Sequence, residues 1–375
     1  MNSILHIPTQ LDFGIGSIAR FRLPAGPVLV LTGNSLDDET REYVVKSLAT
    51  DKTDLILLRK PRGEPFSAQI DCVFSDLPRE LVAVVGVGGG SVLDFAKAVA
   101  ILAGSGGKIM DYEFGARKIG TVLPLYLAPT TCGSGSEVTP YCVINNSETG
   151  RKSTLNHPAL RPVQAAVDPE FLRHLPGPVR LSTGLDAFTH CLEAVLTRAE
   201  TRLIRPIAEA GLALGWQRIP QATHPEQSSE ALVEMAQLSL YGGISIAHSR
   251  TGLIHTMSVA FAEFCDLPHG LLNARLLPYA LAHNLSGYDG LLRALVQRFS
   301  GKTIDSDADA LRTLTGWLAS LIGAEPPAPG REIRKRLNAI VRRMLQDNGL
   351  PGVSHGIIDH KSLTSLIESV ADASR

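Results

Sequence analysis

An aspartate and three histidines are the residues of this sequence best suited to chemistry. Asp186 and His190 are four residues apart, a spacing that places both side chains on one face of a helix, one turn apart. His255 and His269 follow in an apolar region punctuated by glycines. One carboxylate and three imidazoles suit a first-row transition metal, with Fe²⁺ or Zn²⁺ as the occupant. The Asp186–His190 pair alone is equally typical of a helix brace.

A glycine-rich loop follows a predicted strand in the first half of the chain. The apolar run 81–87 leads into Gly88-Gly89-Gly90, and Ser91 is placed to cap the helix that comes next. Free N–H groups and the helix dipole at such a start form a site for a pyrophosphate. The spacing is not the dinucleotide fingerprint Gly-x-Gly-x-x-Gly, so a glycine turn without a ligand stays open as the alternative.

A second loop of small and hydroxyl residues, 129–137, follows the predicted strand 122–128. Two such loops in one parallel sheet should lie near each other, at the edge where open α/β sheets bind ligands. Together they predict a nucleotide site. Lys152 comes shortly afterwards and is a candidate contact for a phosphate or ribose, with a solvated lysine as the alternative.

The elements around these loops alternate between strand and helix. Short apolar runs predict strands, and they are separated by helical patterns. This rhythm is typical of an α/β domain with a parallel sheet and helices on both faces. The predicted strands are 27–32, 54–58, 81–87 and 122–128, and the predicted helices are 38–48 and 68–75.

The second half is predicted to be helical. Leu175-Pro176-Gly177-Pro178 forms the clearest boundary, because two prolines and a glycine oppose regular structure. We therefore predict an α/β domain at 1–176 and an all-α domain at 177–375. Helical spacing runs through 185–196, 203–214, 230–247, 271–282, 291–299, 308–321 and 333–346.

Composition excludes several classes of protein. The 375 residues are 44% hydrophobic and 19% charged with a net charge of -1, which opposes disorder and offers no basic stripe for nucleic acid. The N-terminus does not resemble a signal peptide, and no apolar run is long enough to span a membrane. The five cysteines are far apart, which fits reduced thiols in a cytoplasmic protein.

Four motifs occur in one order along the chain. They are Gly88-Gly89-Gly90-Ser91 with Asp94 and Lys97, Pro129-Thr130-Thr131 with Gly133-Ser134-Gly135-Ser136-Glu137, Gly184-x-Asp186-Ala187-x-Thr189-His190-x-x-Glu193, and Pro268-His269-Gly270. In combination they resemble the iron-containing (group III) alcohol dehydrogenases over residues 13–285. The resemblance implies a Rossmann-like cofactor domain, a helical domain, an active site in the cleft between them, and a homodimer.

The resemblance also implies roles for individual residues. Asp186, His190, His255 and His269 match the family's metal ligands. The metal would act as a Lewis acid on the oxygen of a small-molecule alcohol or aldehyde while the nicotinamide C4 exchanges a hydride. The matching cofactor residues are Gly33, Ser35, Gly88, Gly89, Gly90, Ser91, Asp94, Thr130, Thr131, Ser134, Lys152 and Thr183.

Cofactor preference follows from the end of the first predicted strand. Family members that prefer NAD often carry an Asp there, which binds the ribose 2′-OH and repels a 2′-phosphate. Here the matching position is Gly33, followed by Asn34 and Ser35, and these small residues leave room for the phosphate. We therefore expect NADP(H) to be favoured over NAD(H).

Two departures from the family pattern bear on catalysis and substrate. Many relatives carry a further histidine near the nicotinamide where this chain has Val259, so a proton must take another route. His248 and Arg250 replace an Asn and a small residue, and an Arg would suit an anionic aldehyde such as a phosphonoaldehyde. The alternative is that Arg250 braces Glu263 or Asp266.

Several other functions are compatible with parts of this pattern. Glycerol dehydrogenases and 3-dehydroquinate synthases share the glycine-rich loop but use different metal ligands. Maleylacetate reductases are usually metal-independent, which Asp186 opposes. A catalytically silent nucleotide-binding homologue is the alternative outside enzymes, and the complete ligand set opposes it.

Overall fold

A computed structural model of the protein describes residues 5–199, 202–224 and 227–373. The described chain divides into two compact units. A sheet unit contains residues 6–175 together with 227–236, and a helical unit contains Leu5, 176–224 and 237–373. The domain limits 1–176 and 177–375 stay a prediction. No helix among the described residues is long and apolar enough to cross a membrane.

The sheet unit is built on six parallel strands. Their order across the sheet is β1-β8-β5-β4-β2-β3, so β1 and β3 form the edges. A separate antiparallel hairpin joins β6 and β7. The strands are β1 (Gln10–Phe13), β2 (Gly26–Thr32), β3 (Thr53–Arg59), β4 (Ala83–Gly88), β5 (Leu125–Pro129), β6 (Tyr141–Asn145), β7 (Lys152–Asn156) and β8 (Gln164–Val167).

Helices cover both faces of this sheet, as the sequence predicts. Side chains alternate along β2, so that Leu29 and Leu31 enter one hydrophobic core while Val28 and Val30 enter the other. The helices of this unit are α1 (Asp38–Leu48), α2 (Ser67–Ser75) and α3 (Gly90–Ser105). Both faces are apolar because both are buried, which is why these strands read as unbroken hydrophobic runs.

The helical unit contains ten helices among the described residues, counting α6, whose first residues belong to the sheet unit. They are α4 (Gly177–Leu196), α5 (Arg205–Arg218), α6 (Ser229–Ser249), α7 (Leu253–Phe261), α8 (His269–Asn284), α9 (Leu291–Ser300), α10 (Asp307–Ile322), α11 (Gly330–Met344), α12 (Leu350–Val353) and α13 (His360–Asp372).

The local structure at residues 175–178 differs from the expectation that two prolines and a glycine oppose regular structure there. Pro176 is the N-cap of α4, and Gly177 and Pro178 form its first turn. A proline at this position loses no helical hydrogen bond, because the first N–H groups of a helix have no partner within it. The proline-rich stretch therefore starts the helix that carries Asp186 and His190.

Candidate metal centre

Helix α4 carries three buried polar side chains on one face. Asp186, His190 and Glu193 follow at intervals of four and three residues, so they line up along the helix. Gly270 of α8 packs against this face, and a Cβ on it would lie 1.8 Å from the carbonyl oxygen of Ser182. The absence of a side chain at Gly270 thus lets α8 approach α4 closely at the metal-ligand face.

The other two histidines lie near the starts of their helices. His255 is the third residue of α7, and His269 is the first residue of α8, directly after its N-cap Pro268. The motif Pro268-His269-Gly270 as a sequence is typical of a loop, but in the structure it starts a helix. The cause is local: Pro268 ends the preceding loop in an extended conformation, and the helix begins at once.

Three imidazole nitrogens surround one oxygen of Asp186, although His190 does not belong to the group whose ligand atoms are all mutually close. Asp186 Oδ1 lies 3.4 Å from His255 Nε2, 3.7 Å from His269 Nε2 and 3.8 Å from His190 Nε2. The ligand atoms of Asp186, His255 and His269 all lie within 4.8 Å of one another. The rings of His190 and His255 stack with centroids 4.7 Å apart.

These distances fit a first-row metal. Two ligand atoms that each lie about 2.1 Å from a tetrahedral metal are about 3.4 Å apart, and nitrogen and carboxylate donors suit Fe²⁺ or Zn²⁺. His190 Nδ1 is buried without a hydrogen-bond partner in the described structure. His190 thus has no partner holding Nδ1, and only its Nε2 faces the cluster.

Asn273 and Ser258 contact the ligands and were not singled out from the sequence. The Asn273 amide donates to Asp186 Oδ1 at 2.8 Å and lies 3.1 Å from His255 Nε2. Ser258 Oγ lies 3.3 Å from His269 Nδ1. Asn273 follows His269 by one helical turn, so its spacing was the available signal.

Glu193 is the third side chain whose role the sequence did not reveal. Its carboxylate accepts from His255 Nδ1 at 2.7 Å and from two backbone N–H groups at the start of α7. The position of Glu193 one turn after His190 was the signal that could have identified it.

The charges of the cluster favour a cation. Burial lowers the pKa of His190 to about 4, so this imidazole is neutral at pH 7. Burial also acts to lower the pKa of His255, but Glu193 and Asp186 outweigh it and raise that pKa to about 9. Burial acts to raise the pKa of Asp186, yet the three histidines, His190 first, hold it below its ordinary value. A metal held here would meet the Asp186 carboxylate and would have to displace a proton from His255.

The two predicted cofactor loops lie side by side in the sheet unit. The backbone N–H of Thr130 donates to the carbonyl of Gly88 at 3.0 Å, and a Cβ on Gly90 would lie 2.7 Å from Ser134 Oγ. A Cβ on Gly89 would meet Thr131 Cγ2 at 3.1 Å. Ser91 is not the cap of α3, contrary to expectation, because the helix begins at Gly90 with Gly89 as its N-cap and no side chain caps it.

The other predicted cofactor residues are more scattered. The Asp94 carboxylate accepts from Ser136 Oγ at 2.7 Å and Val143 N at 3.1 Å, so it ties α3 to the second loop and to β6. Lys152 begins β7 and forms an ion pair with Glu64. The remaining residues lie at two places: Gly33 and Ser35 directly after β2, and Thr183 on α4 in the helical unit.

Arg250 and His248 lie at the end of α6. His248 Nδ1 lies 2.7 Å from the carbonyl of Ile244 in its own helix. Arg250 has φ 66°, a left-handed conformation that residues with a side chain rarely adopt. Its guanidinium pairs with Asp347 at 3.4 Å.

Glu263 and Asp266, the two carboxylates that Arg250 was alternatively expected to brace, form no ion pair with it in the described structure. Glu263 pairs instead with Arg343. Arg250 and Glu193 both line one pocket of the helical unit. The predicted role of Arg250 in binding a substrate stays a prediction.

Comparison with known proteins agrees with this geometry. One family profile, "Iron-containing alcohol dehydrogenase", matches residues 8–169. A second profile, "Fe-containing alcohol dehydrogenase family, C-terminal", matches residues 180–352. Together the two profiles cover the sheet and nearly all of the helices that carry Asp186, His190, His255 and His269.

Individual relatives point the same way. Alcohol dehydrogenase 4 of Saccharomyces cerevisiae (strain ATCC 204508 / S288c) is 34% identical over 202 residues, covering 54% of this chain and 53% of the relative. NAD-dependent methanol dehydrogenase of Bacillus methanolicus is 30% identical over 65% of this chain and 64% of the relative. The chain thus matches about half to two thirds of the length of these relatives.

The solved structure of an iron-containing alcohol dehydrogenase from Thermococcus thioreducens superposes with a TM-score of 0.88 at 20% identity, over 98% of this chain and 100% of that one. This likeness confirms the predicted fold class, a Rossmann-like parallel-sheet region followed by an all-helical region. By the two profiles and this fold, the chain belongs to the iron-containing alcohol dehydrogenase family.

Proposed function

We propose that this protein is a metal-dependent, NAD(P)-linked alcohol dehydrogenase or aldehyde reductase. The observation that carries the proposal is the convergence of three imidazole nitrogens on Asp186 Oδ1, at 3.4 to 3.8 Å. Membership of the iron-containing alcohol dehydrogenase family supports a divalent metal and a nicotinamide cofactor.

The chain's own residues would hold the metal and its surroundings. Asp186, His190, His255 and His269 would be the ligands, and Asn273 would donate to the Asp186 carboxylate. When bound, the metal supplies Lewis-acid polarisation of an alcohol or aldehyde oxygen. His269, with a side chain 40% exposed, is the most open of the four ligands, so substrate would approach from its side.

NADP(H) is our proposed cofactor in preference to NAD(H). The position after β2 is Gly33, which places no carboxylate where a 2′-phosphate would lie. The methanol dehydrogenase relative is named as NAD-dependent, so the choice between cofactors has to be measured on this protein. The backbone at the start of α3, which no side chain caps, supports a pyrophosphate contact.

The substrate that we propose is a small alcohol or aldehyde, with an anionic aldehyde as the more specific form. The support for an anionic group is the Arg250 guanidinium, whose side chain is 59% exposed and pairs with Asp347 alone among the ion pairs of the described residues. Guanidinium groups bind carboxylates and phosphonates through paired hydrogen bonds. Homodimeric assembly stays a prediction.

Metal analysis combined with a cofactor assay tests the proposal. The purified protein should hold about one Fe²⁺ or Zn²⁺ per chain and oxidise NADPH in the presence of an aldehyde. Asp186→Asn should lose both properties, because it removes the anionic ligand. An unchanged metal content in Asp186→Asn, or no oxidoreductase activity in the metal-loaded wild-type protein, would overturn the proposal. A metal-loaded wild-type protein without oxidoreductase activity would favour a catalytically silent nucleotide-binding homologue.

A further inference from the structure

The Glu193 carboxylate is fully engaged inside the helical unit. Its Oε2 accepts from the Gly252 N–H at 2.8 Å and from His255 Nδ1 at 2.7 Å, and its Oε1 accepts from the Ile254 N–H at 2.7 Å. The side chain is 6% exposed. Three short hydrogen bonds to one buried carboxylate fix its position firmly.

These bonds determine how His255 presents its ring. The backbone N–H groups can only donate, so both oxygens of Glu193 act as acceptors. His255 Nδ1 must then carry the hydrogen that faces Oε2. The lone pair of the neutral ring is left on Nε2, the atom that lies 3.4 Å from Asp186 Oδ1.

The same carboxylate supports the start of α7. No side chain of the adjacent sequence caps this helix, since its N-cap is Gly252. Glu193 reaches across from α4 and accepts from Gly252 and Ile254 instead, which places a negative charge at the positive end of the helix dipole. The orientation of the ring and the start of its helix therefore depend on one residue.

We propose that Glu193 is a positioning residue for the metal: it fixes the tautomer and direction of His255 and couples metal affinity to the start of α7. This inference rests on the proposed metal site. Carboxylates that hold metal-bound histidines in this way typically contribute 10- to 100-fold to metal affinity. Nothing in the inference requires Glu193 to touch the metal or the substrate.

Glu193→Gln is the sharpest perturbation, because it keeps the size of the side chain. An amide has one oxygen and one NH₂ group. If the NH₂ group takes the place of Oε2, it faces the Gly252 N–H, so that two donors meet. It then also donates to His255 Nδ1, which places the hydrogen of His255 on Nε2. If the NH₂ group takes the place of Oε1, it faces the Ile254 N–H, and again two donors meet. Either orientation loses a hydrogen bond and the negative charge.

The experiment measures the Zn²⁺ dissociation constant of metal-free protein by competition with a chromophoric chelator. Glu193→Gln should bind Zn²⁺ 10- to 100-fold more weakly than the wild-type protein. Glu193→Asp keeps an acceptor-only carboxylate and should recover part of this loss. Glu137→Gln is the matched control, since Glu137 is fully buried in the sheet unit and should leave Zn²⁺ affinity unchanged.

Denaturation of the metal-free proteins separates positioning from capping. If Glu193 only caps α7, its substitution should lower the free energy of unfolding but leave the Zn²⁺ affinity of the folded protein unchanged. Zn²⁺ affinity of folded Glu193→Gln within twofold of wild type would therefore overturn the inference. If Glu193→Gln does not fold, the Zn²⁺ affinity of Glu193→Asp is measured instead. An affinity of Glu193→Asp equal to that of the wild-type protein would then overturn the inference. Failure of the wild-type protein itself to bind Zn²⁺ would instead refute the proposed function.

Discussion

Gly270 gives the most quantitative prediction about the metal centre. A Cβ added there would lie 1.8 Å from the Ser182 carbonyl oxygen and 2.9 Å from Asp186 Cβ. Real Cβ atoms essentially never come within 3.0 Å of such neighbours, so Gly270→Ala must move α8 away from α4 by at least about 1.2 Å. Metal–ligand distances tolerate only about 0.2 Å. His269, next to Gly270, would be carried out of range of Asp186.

Two measurements follow from this displacement. The Zn²⁺ affinity of Gly270→Ala should fall at least about tenfold, as it does when the support of a ligand is lost. The free energy of unfolding of the metal-free protein should fall by about 1–3 kcal/mol, the usual cost of overpacking. Trp216 and Trp317, the only tryptophans in the chain, stack in the helical unit with centroids 4.8 Å apart, so their fluorescence reports unfolding of this unit.

Gly316→Ala provides the control in the same unit. Gly316 lies within α10, and a Cβ on it would meet no atom within 4 Å. Alanine there should raise stability by about 0.5–1 kcal/mol and leave Zn²⁺ affinity unchanged. If Gly270→Ala bound Zn²⁺ as tightly as Gly316→Ala, the close approach of α8 to α4 would not be what holds the site.

Three further predictions concern pH, cofactor and substrate. Burial raises the pKa of Glu137 to about 7, from an ordinary value of 4.5. Between pH 4.5 and pH 7 the folded protein therefore keeps a proton on Glu137 that the unfolded chain releases. The free energy of unfolding should fall by about 3 kcal/mol as the pH rises through this range. Glu137→Gln should therefore raise the melting temperature at pH 8 far more than at pH 4, measured by calorimetry; equal shifts would contradict this. Gly33→Asp, whose Cβ meets its neighbours at no less than 3.4 Å, should lower kcat/KM for NADPH at least about tenfold relative to NADH by charge repulsion, whereas neutral Gly33→Asn should not. A wild-type preference for NADH would refute the cofactor prediction. Arg250→Met should raise KM for acidic aldehydes much more than for neutral ones, and equal effects would remove Arg250 from substrate binding.

Local patterns were sufficient for the interior of the sheet. Strands β2, β4 and β5 were predicted within a few residues, because their apolar runs are buried on both faces. The edge strand β3 and helices α1 and α2 were also predicted within a few residues, from the spacing of their apolar residues. The edge strand β1 and its neighbour β8 have four residues each and were missed. Strands this short carry too little periodicity to be recognised, and pairing between residues 10 and 164 decides their structure.

The candidate metal ligands could be named from residue type and motif, but the residues that contact them could not. Glu193 and His255 are 62 positions apart, and only the folded arrangement of α4 and α7, which both pack against α8, brings them within 2.7 Å. The pairing of Arg250 with Asp347 spans 97 positions, so sequence reasoning considered only nearby carboxylates. Helix α7 was also missed, because its cap comes from another helix rather than from its own sequence.

Anomalous X-ray diffraction at the metal absorption edge, from crystals of the metal-loaded protein, tests the central claim most directly. We predict one peak per chain at about 2.0–2.2 Å from an oxygen of Asp186 and from the Nε2 atoms of His190, His255 and His269. A peak bound by other residues, or no peak in protein shown to be folded and supplied with Fe²⁺ or Zn²⁺, would contradict the metal centre and the oxidoreductase function that depends on it.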